Sequence, residues 1–241
     1  MQQNSRLPLG QAIFKGRFLY LLVFILMLIA IQPLDEAIGK YGILLDLITT
    51  AILVSAIYAI SQKKNSSIAG VLLATPLLVS MWFHFFKSTW LQMSGMVSGI
   101  AFFAFITMSI LSFIFSRDEI TKDLIAGAAV VYLLTAIMWT FAYRFIEMMQ
   151  PGSFAIAESQ SIGAHSPFLY YSFVTITTLG YGDIFPVSTA AKSCAILEAV
   201  IGQLYLVITV AWLVGVHISQ SVAKKSNIDK PRSQDRKITN C

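Results

Sequence analysis

Long apolar runs separated by short polar and charged breaks set the pattern of this chain. Five of them precede residue 150, at about 18–34, 41–60, 68–86, 90–115 and 124–144, and a sixth covers about 189–218. An α-helix rises 1.5 Å per residue, so ~20 apolar residues cross the hydrocarbon core of a bilayer, and each run comes close to that length. Six transmembrane helices are therefore expected. The first run follows Arg6, Lys15 and Arg17 as a secretory signal would, but Ala30-Ile31-Gln32-Pro33 offers no small-x-small cleavage site, so it reads as a retained helix. Pro76 inside the third run should kink that helix rather than end it, because neighbouring groups can satisfy the backbone that it frees.

The stretch between the fifth and sixth runs breaks the pattern. It opens with Gln150, Pro151, Gly152 and Ser153, then becomes apolar from Pro167 to Thr178. Ser166 followed by Pro167 reads as an N-cap and a first-turn proline, which predicts a short helix over 167–177. About eleven residues give ~16 Å, half a bilayer, so this helix must enter and return on the same side.

Composition agrees with a lipid environment. The 241 residues are 56% hydrophobic and 12% charged, against roughly 45–50% and 25% for soluble domains. The net charge of +5 does not point to nucleic acid, because the basic residues lie in short clusters between the apolar runs and in the tail. With a cytoplasmic N-terminus, the inner side holds thirteen Lys and Arg residues, and the outer side holds four: Lys40, Lys87, Arg144 and Lys192. That bias places both termini in the cytoplasm and requires an even number of crossings, which six satisfies. Cys194 and Cys241 have neither metal-ligand nor disulfide-framework spacing, and His84, His165 and His217 are isolated, so neither an enzyme nor a metal site is indicated. No cofactor is called for.

The return segment after the half-helix is Thr177-Thr178-Leu179-Gly180-Tyr181-Gly182-Asp183. Non-helical backbone at membrane depth is tolerated only where protein buries it or where it lines water. Gly180 and Gly182 permit positive φ, so an extended strand can turn successive carbonyls to one side and replace the water shell of a cation. Thr178 through Asp183 resembles the signature sequence of the potassium-channel superfamily, with Leu179 where valine is commonest. Gly39-Lys40-Tyr41-Gly42 is a false near-match, without the threonines or the half-helix.

The resemblance implies an all-α integral membrane protein with six transmembrane helices, a re-entrant pore helix and a selectivity-filter loop. Potassium, the transported ion, would bind at the carbonyls of Thr178, Leu179, Gly180 and Tyr181 and at the Thr178 hydroxyl, with Gly182 completing the filter. Thr177, Tyr170, Tyr171 and Asp183 would support it, Asp183 at the outer mouth and Tyr181 packed against the short helix. A hydrogen bond from Tyr170 to Asp183 is expected from their spacing. The C-terminal dipole of the short helix would favour a cation beneath it. One such strand cannot encircle an ion, so three further copies of the chain should complete a homotetramer.

The implied organisation is a cytoplasmic N-terminus (1–17), a four-helix membrane domain (18–117), a pore domain (118–218) and a basic cytoplasmic tail (219–241). Within the pore domain, the outer helix would cover 123–147, the pore helix 167–177, the filter 178–183 and the inner helix 189–218. Gly202 falls where inner helices of this superfamily often carry a hinge glycine, with close helix packing as the alternative. Glu198 is an ionisable group within a spanning segment. It either supports the filter through hydrogen bonds, Val174 standing where some two-helix relatives have glutamate, or reaches a watery crevice. From Ser88 to Ser116 there is no charged residue. A charge crossing the field is worth ~2.3 kcal/mol per 100 mV, so voltage gating by a charged fourth helix is not expected. The expected location is a bacterial-type plasma membrane. A non-conducting regulatory subunit and a less selective cation channel are the competing readings. A transporter would need a second interrupted helix, and the sequence has one re-entrant segment.

Overall fold

The computed structural model describes residues 16–38, 43–61, 64–82, 88–117, 120–156 and 167–229. The false near-match at 39–42, His84, His165, Ser166, Cys241 and the terminal stretches 1–15 and 230–241 lie outside the described residues. Among the described residues the elements, in chain order, are α1 (Arg17–Ile38), α2 (Ile43–Ile60), α3 (Lys64–Trp82), α4 (Thr89–Phe115), α5 (Lys122–Met149), β1 (Phe154–Ile156), α6 (Pro167–Ile176), β2 (Ile184–Pro186) and α7 (Thr189–Asp229). Three helices, α4, α5 and α7, are long and apolar enough to cross a membrane by length and composition, while the apolar stretches of α1, α2 and α3 are shorter.

α5 is the organising element. Its N-cap Thr121 accepts the Leu124 backbone N–H at 3.2 Å, and Asp123 in its first turn accepts the Phe18 backbone N–H at 3.2 Å. The same corner stacks the Arg17 and Arg117 guanidinium groups on the Phe113 ring, each 4.4 Å from its centroid. Cations on an aromatic face gain from the ring quadrupole, and the contact joins the start of α1 to the α4–α5 turn. Along its length α5 packs against α1, α4, α6 and α7.

The small residues of Gly95-Met96-Val97-Ser98-Gly99 let α4 approach two neighbours. A Cβ on Gly95 would collide with Ser80 of α3, and one on Gly99 would lie 2.8 Å from the Phe141 ring of α5. Between them, Ser98 Oγ donates to the Leu73 carbonyl. Close backbone approach of this kind holds helices together where lipid removes the hydrophobic drive. α3 runs through Pro76. Proline removes the N–H that would bond the Leu72 carbonyl, and Thr75 Oγ1 reaches that carbonyl at 3.3 Å and the Val71 carbonyl at 2.7 Å.

α7 continues past the expected end at 218 to Asp229. The apolar run ends where the membrane-compatible stretch ends, but Gln220, Ala223, Lys224 and Lys225 are good helix formers and carry the helix on. The first part of the basic tail is therefore helical.

Candidate functional site: a half-helix and its return segment

Among the described residues α6 runs from Pro167 to Ile176, ten residues. It is wedged between α5 and α7. Tyr171 on its inner face packs edge-on against Tyr143 of α5 (4.9 Å between centroids) and Phe154 of β1 (5.3 Å). These rings, with Phe168 and Trp139, form a small aromatic core at this end of the molecule.

The end of α6 is closed by the segment that follows it. The Thr178 N–H bonds the Thr175 carbonyl at 3.0 Å, and the Leu179 N–H bonds the Val174 carbonyl at 3.0 Å, which the Gly180 N–H also approaches at 3.4 Å. This is the Schellman pattern, whose turning residue takes the left-handed conformation and is usually glycine. Here it is Thr178, with φ of 62°. Left-handed backbone in a β-branched residue costs roughly 1–2 kcal/mol. Gly180 (φ 58°) and Gly182 (φ 80°) repeat the left-handed conformation at every second position. Within the single chain a Cβ added to either glycine would meet nothing within 4 Å, so here it is the positive φ that calls for glycine. Left-handed backbone thus recurs at 178, 180 and 182, directly after α6.

The last four carbonyls of α6 all have donors. Phe173 takes the Thr177 N–H at 3.1 Å, Val174 and Thr175 are bonded as described, and Ile176 takes Tyr132 Oη at 2.8 Å. Helix C-termini otherwise leave four such groups open. A cation preference at this end would thus come from the helix dipole and not from a free carbonyl.

The segment is tied down at its far end too. Tyr170 Oη donates to Asp183 Oδ2 at 2.7 Å, which is the bond that the spacing of these residues suggested. β2 then pairs antiparallel with β1 in the register Phe154↔Pro186, Ala155↔Phe185 and Ile156↔Ile184. The two carboxyl oxygens of Glu147, in the last turn of α5, take the backbone N–H groups of Gly152 (2.7 Å) and Phe154 (3.1 Å) and so fix the turn that launches β1. The β1–β2 ladder was not anticipated. Three-residue strands carry too little alternation to be read from sequence.

Tyr181 was expected to pack against the short helix, but in the single chain it remains 67% exposed, and Leu179 is 58% exposed. Thr177 through Gly182 are all exposed. Much of α7 is uncovered as well, with Ile196, Leu197, Val200, Leu204 and Val207 prominent.

Glu198 is fully buried. Tyr143 Oη of α5 donates to its Oε2, and Ser172 Oγ of α6 lies 2.5 Å from its Oε1. Of the two readings of this residue, the watery crevice is excluded within the chain, and the carboxyl joins α5, α6 and α7. Ser172 and Tyr143 were missed from sequence; an intramembrane carboxyl signals that partners exist, but partners 26 and 55 residues away leave no local trace. At Gly202, four residues on, an added Cβ would lie 2.6 Å from Ile176 Cγ1 and 3.1 Å from the Ile176 carbonyl oxygen. α7 is thus in close contact with the end of α6 at this glycine. An apolar cavity of about 200 Å³ opens beside the contact, lined by residues of α4, α5, α6 and α7 that include Thr107, Tyr132, Ile176 and Tyr205.

Residues 123–217 match the protein family described as "Ion channel". The chain is also similar to the potassium channel protein kcv of Paramecium bursaria Chlorella virus 1, with 29% identity over 70 residues, which are 29% of this chain and 74% of the viral one. The matched region contains α5, the half-helix α6, the return segment and most of α7. This is a helical membrane protein whose C-terminal portion is similar to ion channels.

Proposed function

We propose that this chain is the subunit of a potassium-selective channel that conducts passively, without chemical turnover. The observation that carries the reading is the left-handed backbone at Thr178, Gly180 and Gly182, directly after a ten-residue half-helix. In this reading the carbonyls of Thr178, Leu179, Gly180 and Tyr181, with the Thr178 hydroxyl, take the place of water around potassium. The strained threonine supports it: glycine would end α6 more cheaply, but glycine has no hydroxyl to offer an ion.

The functional unit is a tetramer of identical chains around one axis. Its support is the exposure of Leu179, Tyr181 and the apolar side chains of α7 in the single chain, which three further copies and lipid would cover. Six spans, both termini in the cytoplasm and a plasma-membrane location complete the proposal, on the distribution of Lys and Arg. α4 has no charge and is packed on α3 and α5 through small residues, so it supports the pore rather than sensing voltage. The viral relative's name agrees with the choice of ion.

The test is potassium flux into liposomes that contain the purified protein, with sodium as competitor and Gly180→Ala as control. Potassium flux that excludes sodium and disappears in the variant is expected. Equal sodium flux, or selective flux that survives Gly180→Ala, would overturn the proposal.

A further inference from the structure

The buried carboxyl of Glu198 sits in a hydrogen-bond chain that can be counted. Ser172 Oγ is 2.7 Å from the Ala136 carbonyl oxygen and 2.5 Å from Glu198 Oε1. A serine hydroxyl has one hydrogen, and a carbonyl oxygen can only accept. The hydrogen between Ser172 and Ala136 must therefore be the serine's own. The hydrogen between Ser172 and Glu198 must then come from the carboxyl. Tyr143 has one phenolic hydrogen, which it gives to the second carboxyl oxygen, Oε2. With a proton on Oε1 every contact in the chain has one hydrogen. With an ionised carboxylate, one of the two Ser172 contacts would set two oxygens against each other in a buried site with no hydrogen between them.

The surroundings agree with the count. Among the described residues, the titratable groups that face Glu198 are Tyr132 and Tyr143 of α5, Tyr171 of α6 and Cys194 of α7, and none of these is a cation. A buried carboxylate without a counter-charge is among the costliest arrangements a protein can hold.

The geometry points to Glu198 as a neutral carboxylic acid that works as a positioning residue: donating through Oε1 and accepting through Oε2, it clamps α7 to α6 and α5 and so holds the 178–183 segment in register. It never touches the ion. Its effect runs through Ser172, which lies two residues before Val174, whose carbonyl takes the Leu179 and Gly180 N–H groups. The effect on conduction rests on the channel reading above; the protonation state does not.

Two measurements on the full-length protein test this. Isotope-edited infrared spectra of glutamate-labelled parent and Glu198→Gln should differ by a protonated-carboxyl carbonyl band present only in the parent, and a parent without that band would overturn the proposal whether or not the protein conducts. In liposome flux, Glu198→Gln supplies one donor and one acceptor in the same places and should keep the parent's potassium-to-sodium ratio within about twofold. Glu198→Leu should lower the ratio at least about tenfold, the scale expected when buried hydrogen-bonding groups lose their partner. Ser172→Ala removes only one hydroxyl and should lower the ratio as well, which keeps the test open where the leucine variant does not assemble. A glutamine variant as impaired as leucine would overturn the neutral acid, and parent-like selectivity in an assembled Glu198→Leu or Ser172→Ala would overturn the positioning role. A parent that shows the band but passes sodium as readily as potassium would refute the channel reading and the positioning role that rests on it, and leave the proton assignment standing.

Discussion

Replacing Gly202 with alanine separates the two roles that its position suggests. The added methyl would stand 2.6 Å from Ile176 Cγ1 and 3.1 Å from the Ile176 carbonyl oxygen, whereas carbon atoms pack at about 3.5–4.0 Å. Ile176 is itself fully buried, and its carbonyl is held by Tyr132 Oη at 2.8 Å. The side chain can turn toward the apolar cavity that it lines, but the carbonyl, held by Tyr132, cannot follow, so α7 must still retreat from the end of α6 by roughly a few tenths of an ångström. Overpacking of this order costs about 1–3 kcal/mol. Thermal unfolding of the assembled protein, read together with selective flux, measures the effect. The decisive comparison is a double-mutant cycle with Ile176→Ala, which removes the nearer obstacle. If the glycine is there for close contact, the two substitutions should couple favourably, by about 1–2 kcal/mol, and the double variant should recover stability relative to additivity. If it is there as a hinge, Gly202→Ala should alter opening with no loss of stability, and Ile176→Ala should not compensate. Additive losses, or a stable Gly202→Ala with normal flux, would refute the contact argument.

Two further substitutions bear on the return segment. Tyr170→Phe removes the 2.7 Å hydrogen bond to Asp183; bonds to charged groups are worth about 1.5–3 kcal/mol, and partial exposure puts this one near the lower end. It should therefore leave the fold intact while reducing the potassium-to-sodium ratio in flux, and unchanged selectivity would show that the bond does not brace the segment. Thr178→Gly should leave stability unchanged or raise it by up to about 1 kcal/mol per chain, because relief of left-handed strain outweighs the entropy of glycine, yet weaken selectivity through loss of the hydroxyl. Thr178→Ser should preserve selectivity, and a glycine variant that is destabilised but fully selective would reverse the assignment of roles.

The residue pattern alone determined the elements that are set by local physics. Apolar runs long enough for lipid became helices, and the apolar stretch that follows Pro167 became the half-helix. Gly180 and Gly182 announced left-handed backbone, because no other residue takes it at so little cost. Thr178 did not announce itself in this way: its positive φ follows from closing the end of α6 onto Val174 and Thr175, a local capping demand that overrides the preference of a β-branched residue. The helical continuation to Asp229 was hidden because hydropathy marks where an apolar run stops and not where helix propensity stops. What only the tertiary structure decided was partnership. Glu198 could be singled out in the sequence because a carboxyl among apolar residues must be satisfied, but Tyr143 and Ser172 meet it from two other helices. Gly202 could be noticed as a small residue, but that it faces Ile176 depends on how α7 crosses the end of α6. Local conformation is decided over a few residues along the chain, whereas contacts are decided by which faces of distant helices pack together.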